Sequence, residues 1–81
     1  MANKDLRAEI FRIIHKNWPV NASGICRHLG IDDSVSNISK VIYHLRKLNG
    51  AGEVHLKKVD RALVAWPNEI EKLRIIHEMI R

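Results

Sequence analysis

The sequence predicts a mostly helical α+β domain, and three observations carry that reading. Apolar residues recur at helical spacing over 3–16, 21–29, 34–48 and 68–81. Alternation with a period of two is confined to 53–66, which reads as a β-hairpin. Helix breakers stand between the segments: Trp18-Pro19, Gly30, Asn49-Gly50 and Pro67. The expected architecture is a three-helix core, a hairpin and an extra C-terminal helix, all in one domain over 1–81.

The bulk properties narrow the possibilities. A chain of 81 residues is one domain's length, and it buries roughly 60–65% of its extended-chain surface. Fourteen Lys and Arg against nine Asp and Glu give a net charge of +5. A small basic domain favours polyanions, because each cation set on a phosphate releases condensed counterions. The single cysteine, Cys26, allows no intrachain disulfide and suits a reducing compartment. No apolar run is long enough to cross a bilayer, and MANKDLRAEI lacks the apolar core of a signal peptide. The expected location is the cytoplasm, or the nucleus if the source has one, with no membrane association. No Gly-rich phosphate loop, nucleophile elbow or purposeful acidic pair is present, so no enzymatic activity and no cofactor are expected.

The first helix, 3–16, has Asn3 as a candidate cap and Asp5 in its first turn, where the helix dipole favours an anion. Leu6, Ile10, Ile13 and Ile14 form its buried stripe, with Phe11 at the edge. Trp18-Pro19 ends it, since the residue before proline is pushed out of the helical region. Val20 leaves room for a very short extended segment. Asn21 caps the second helix and Gly30 terminates it, with Ala22, Ile25 and Leu29 inward. Gly24 costs that helix about 1 kcal/mol relative to alanine, which a close helix–helix contact would explain. Ile31 to Asp33 forms the turn into the third helix. Short helix, glycine, apolar residue, polar turn and long amphipathic helix together make a helix-turn-helix pattern.

The third helix, 34–48, is the most informative stretch. Ile38, Ile42, Leu45 and Leu48 make one apolar stripe, widened by Val41. Ser34 is placed to cap its start, and Asn49-Gly50 to supply its left-handed end. The opposite face carries Ser36, Asn37, Ser39, Lys40, Tyr43, His44, Arg46 and Lys47, with no acid. One oily side and one cationic, hydrogen-bonding side suit a core on one face and a nucleic-acid groove on the other. The hairpin follows: Val54 and Leu56 alternate with His55 and Lys57, Val59-Asp60-Arg61 turns, and ALVAW returns. Trp66 is the expected anchor of the hairpin on the helices. Asn68 and Glu71 offer a capping box for the last helix, whose stripe runs Ile70, Leu73, Ile76 or His77, and Ile80. That stripe needs covering. A homodimer through this helix is expected, since helix-turn-helix proteins commonly read two half-sites with two-fold symmetry.

This layout resembles a winged helix-turn-helix domain over nearly the whole chain. It is most similar to small archaeal and bacterial transcription regulators of the ArsR and MarR type. The similarity is carried by ISKVIYHLRKL at 38–48, by Ala51-Gly52-Glu53-Val54, and by ASGICRHLGI at 22–31. The turn Asp32-Asp33 and the junction Asn49-Gly50 are longer than in the tightest family members. The wing tip, Val59-Asp60-Arg61, is short and lacks glycine. The resemblance implies double-stranded DNA as partner, with the third helix in the major groove and the wing on the backbone. Ser36, Asn37, Ser39, Lys40, Tyr43 and His44 would then face DNA. Arg46 and Lys47 would anchor phosphates, and Lys57, Lys58 and Arg61 would charge the wing. Winged-helix domains that bind left-handed duplexes pair an Asn and a Tyr, four apart, with a wing Trp. Tyr43 and Trp66 fill two of those places, but Ser39 stands where the Asn belongs.

Two other readings are open at this point. The same fold serves elsewhere as a protein-interaction adaptor, and an architectural, replication or recombination role on DNA uses the same chemistry. For metal binding, Cys26 and His28 are two apart and so point different ways on a helix; no paired-cysteine motif exists, and no metal is expected.

Overall fold

The structure, a computed structural model, describes residues 3–68. The elements run α1 (Asn3–Asn17), β1 (Val20–Asn21), α2 (Ala22–Leu29), α3 (Val35–Gly50), β2 (Val54–Val59) and β3 (Ala62–Pro67). The described residues therefore form a small α+β fold, mostly helical, with three helices and one antiparallel sheet. The expected helix over 68–81 and its dimer seam lie outside the described residues, apart from Asn68. Among the described residues no helix is long and apolar enough to cross a membrane.

Both ends of α2 and the start of α3 fall where their chemistry places them, while α1 already includes Asn3, its expected cap, and one further end departs from expectation. Asn21 Oδ1 accepts the Gly24 N–H at 2.8 Å and caps α2. Gly30 closes α2 in the left-handed region, at φ +76°. Ser34 caps α3 by accepting the Asn37 N–H. The end that departs is that of α3. It runs through Asn49 and Gly50, and the left-handed residue is Gly52, at φ +78°. Asn49 acts through its side chain instead. Its Nδ2 donates to the Val54 carbonyl at 2.9 Å and ties the start of β2 to the helix.

Gly24 is explained differently from expectation too. A Cβ there would sit 3.0 Å from Val20 Cγ2 and 3.3 Å from Asn21 Oδ1. The close approach is to the strand that feeds α2, not to another helix.

The sheet has the order β1-β3-β2. The short β1 pairs with β3 through Val20 opposite Ala65. β2 and β3 pair from Val54 opposite Pro67 to Val59 opposite Ala62, so the hairpin loop is only Asp60-Arg61. Asp60 takes φ +55°, a conformation that Asp tolerates better than most residues.

The core lies between the helices and one face of the sheet. Ile10, Ile13 and Ile14 of α1 meet Ile25 and Cys26 of α2, Val41, Leu45 and Leu48 of α3, and Val54 and Ala65 of the sheet. Each of the larger aliphatics contributes about 1.5–3 kcal/mol by burial. Trp66 is not the anchor in this core. It stands opposite His55, on the other sheet face from buried Ala65, and the two rings stack at 5.9 Å between centroids. Val54 and Ala65 seat the hairpin instead, because strand alternation gives the inner face to alternate residues only.

Candidate nucleic-acid interface

The site is built on α3, and the structure rotates that helix relative to the simplest reading of its stripe. Its buried residues are Val41, His44, Leu45 and Leu48, while Ile38 and Ile42 are only partly covered. His44 is therefore not on the outward face. It is 1% exposed, and its Nδ1 accepts a hydrogen bond from Arg7 Nε of α1 at 3.2 Å. Burial, and then the Arg7 and Lys40 charges, hold its pKa below the ordinary histidine value. The periodicity allows both registers, since Leu45 and Leu48 belong to either stripe. Packing against α1 selects the one that includes His44.

Asn37 is also withdrawn from the outward face. It lies four residues before Val41 and seven before His44, along the edge of the buried stripe. Its Nδ2 donates to the Asp32 carbonyl at 2.9 Å and to the Asp32 carboxylate at 2.7 Å. Its amide nitrogen is thereby committed to Asp32, and the two-point contact to adenine that a free Asn makes would have to displace these bonds. A second local bond, Ser23 Oγ to Asp33 Oδ2 at 3.0 Å, holds the same turn to α2. Two acids thus sit at the amino end of α3, where the helix dipole favours them.

The rest of the outward face is open. Ser36, Ser39, Lys40, Tyr43, Arg46 and Lys47 are all exposed. Tyr43 is 51% exposed at the middle of the helix. Lys47 Nζ lies 5.6 Å from the centre of its ring, which keeps that cation close to the face.

The hairpin lies beside α3. Arg61, Ala62 and Leu63 line a cleft together with Ile38 and Ile42 of α3 and Asn21 to Ser23. Lys57, Lys58 and Arg61 are exposed, but they do not form one charged surface. Lys58 pairs with Leu63 and shares its sheet face, which looks toward α3. Lys57 pairs with Val64 and points the other way, on the face of His55 and Trp66.

Two features escape the sequence reading. Arg7 reads as a solvated residue of α1, and nothing local reveals that it reaches a histidine 37 positions away. Val35 is 85% exposed at the head of α3. A signal for it does exist: an apolar residue directly after the cap, three before Ile38 and seven before Ile42, on the edge of the stripe that is only partly covered.

Cys26 is fully buried and its thiol pKa is pushed up by burial, then by Asp33 and Asp32. Among the described residues no group of three His, Cys, Asp or Glu side chains is placed to share a metal ion. No protein-family model matches the chain, and no curated protein matches it.

Proposed function

We propose that this protein is a winged helix-turn-helix domain that binds double-stranded DNA in a sequence-specific way, as a transcription regulator. The supporting observation is the exposed face of α3, with Ser36, Ser39, Lys40, Tyr43, Arg46 and Lys47 beside a hairpin that carries Lys58 and Arg61. No acid lies among those six positions. From Ser36 to Lys58 the chain has five cations (Lys40, Arg46, Lys47, Lys57 and Lys58) against one acid, Glu53, or +4 of the net +5.

On this reading α3 enters the major groove, which is wide enough for a helix. Ser36, Ser39 and Tyr43 offer hydroxyls to bases or phosphates, and Lys40 reaches guanine O6 and N7. Arg46, Lys47 and the hairpin cations hold the backbone. Asn37 and His44 serve the fold: the first fixes the turn at the surface, the second, buried, fixes α3 on α1. Regulation would be steric, with the protein covering a site that polymerase needs. A homodimer through the C-terminal segment would present two such helices to a palindrome.

The experiment is selection of bound duplexes from a random library, followed by affinity measured against salt. A defined site, with binding that weakens steeply as salt rises, is the expected result. Lys40→Ala and Tyr43→Ala should each weaken that site selectively. If neither variant changes the site or the affinity, α3 is not the reading element.

A further inference from the structure

Val35 opens α3 with most of its side chain in water. Neither the cap nor the core uses it. Ser34 supplies the cap, and the buried residues of the helix begin at Val41. Valine is also one of the poorer helix formers, because its branched side chain loses rotamer freedom against the preceding turn. Val35 stands at the open end of the strip of Ile38 and Ile42, which are half-buried, but is itself left in water. Five large hydrophobic residues are exposed among the described residues: Trp18, Ile31, Val35, Tyr43 and Val59. All but Trp18 lie on the α2–α3 turn, on α3 or on the hairpin. On the α3 surface Val35 lies at the border between the polar Ser39 and Arg46, four and eleven residues on, and the half-buried Ile38 and Ile42, three and seven residues on, which line the cleft beside the hairpin.

We propose that Val35 is a specificity-determining residue whose methyl groups pack on the C5-methyl group of a thymine in the major groove. This inference rests on the DNA reading above. Thymine is the one standard base that shows an apolar group in that groove, and valine has no hydrogen bond to offer any other edge. Ser36 and Ser39 lie on its outward side and supply the polar contacts to neighbouring positions. The same contact accepts the methyl of 5-methylcytosine, which carries the identical group on a different base pair.

The test uses the full chain and a duplex obtained by selection. Each thymine is replaced in turn by uracil, which removes the methyl group and nothing else. One replacement should weaken wild-type binding about fourfold, the worth of one buried methyl group. Val35→Ala should weaken binding to the unmodified duplex by a similar factor and be indifferent to that replacement. Val35→Thr keeps one methyl group and should retain part of the discrimination. With a C·G pair at that position, 5-methylation of the cytosine should tighten wild-type binding and leave Val35→Ala unmoved. An unchanged unfolding midpoint in both variants separates this from loss of fold. The inference is overturned if no thymine is sensitive to uracil, or if Val35→Ala keeps the full sensitivity. In that case the exposed valine serves another surface, such as a protein. A library that yields no bound duplex overturns the DNA reading itself, and this inference with it.

Discussion

Arg7 Nε donates a hydrogen bond to His44 Nδ1 at 3.2 Å, and this pair joins α1 to the buried side of α3. An accepting Nδ1 requires neutral His44 with its proton on Nε2. Protonation removes the acceptor and places a third cation beside Arg7 and Lys40, in a site where burial already disfavours charge.

Stability should therefore depend on pH with a definite sign. The folded pKa of His44 lies below the ordinary 6.5. Above 6.5 the histidine is neutral in both states and the fold keeps its full stability. As pH falls below that value the unfolded chain binds the proton first, and stability drops until the folded pKa is passed. The urea midpoint should fall between pH 7.5 and 5. His44→Asn, which keeps an acceptor near the Nδ1 position, should flatten that dependence. An equal slope in the variant would show that other groups cause it.

Cys26 should be chemically silent in the native protein. The thiolate is the reactive form, and burial, Asp33 and Asp32 all oppose its formation. At pH 8 a disulfide reagent should label it only as fast as the chain unfolds. Above pH 9.0 the unfolded thiol ionises while the folded one stays protonated, so stability should decline there. Rapid labelling of folded protein would contradict the buried placement.

Two glycines should respond to alanine for different reasons. At Gly30 there is open space but φ is +76°, so Gly30→Ala should cost about 1 kcal/mol from backbone strain alone. At Gly24 the backbone is helical and alanine is the better helix former, yet its Cβ would press on Val20 and on the capping oxygen of Asn21. Gly24→Ala should lose stability despite its propensity gain. Thermal unfolding of both variants decides the matter, and a stabilised Gly24→Ala would mean that Val20 gives way easily.

If the chain binds DNA as proposed, Lys57 and Lys58 should contribute unequally. They are adjacent in sequence but occupy opposite faces of β2. Lys58→Ala should reduce the slope of log affinity against log salt by about 1. Lys57→Ala should change it less. Equal losses would mean that the hairpin meets the backbone edge-on.

The Asp32–Asn37 contact belongs to the fold. Asn37→Ala and Asp32→Ala should each cost about 1 kcal/mol, and the double variant less than their sum. Additive losses in denaturant unfolding would show that the two do not act together.

Much of the fold is legible in the chain because its signals are local. Asn21, Gly30 and Ser34 act on their own backbone within a few residues, so the starts of α2 and α3 and the end of α2 can be read directly. The period-two run marks the hairpin for the same reason. The end of α3 differs from expectation because Asn49, Gly50 and Gly52 all tolerate a left-handed turn. Only the tie from Asn49 to Val54 shows which of them takes it.

The candidate site divides along the same line. Sequence alone established that α3 is two-sided and that the cations gather on and after it, since composition and a 3.6-residue period need no partner to be read. Only the tertiary structure decided how the helix is turned about its axis. Its apolar residues are compatible with more than one rotation, and the choice falls to whatever packs against it, here α1 with Arg7. That rotation buries His44, draws Asn37 to the Asp32 turn, and leaves Val35, Ser39, Tyr43 and the lysines in water.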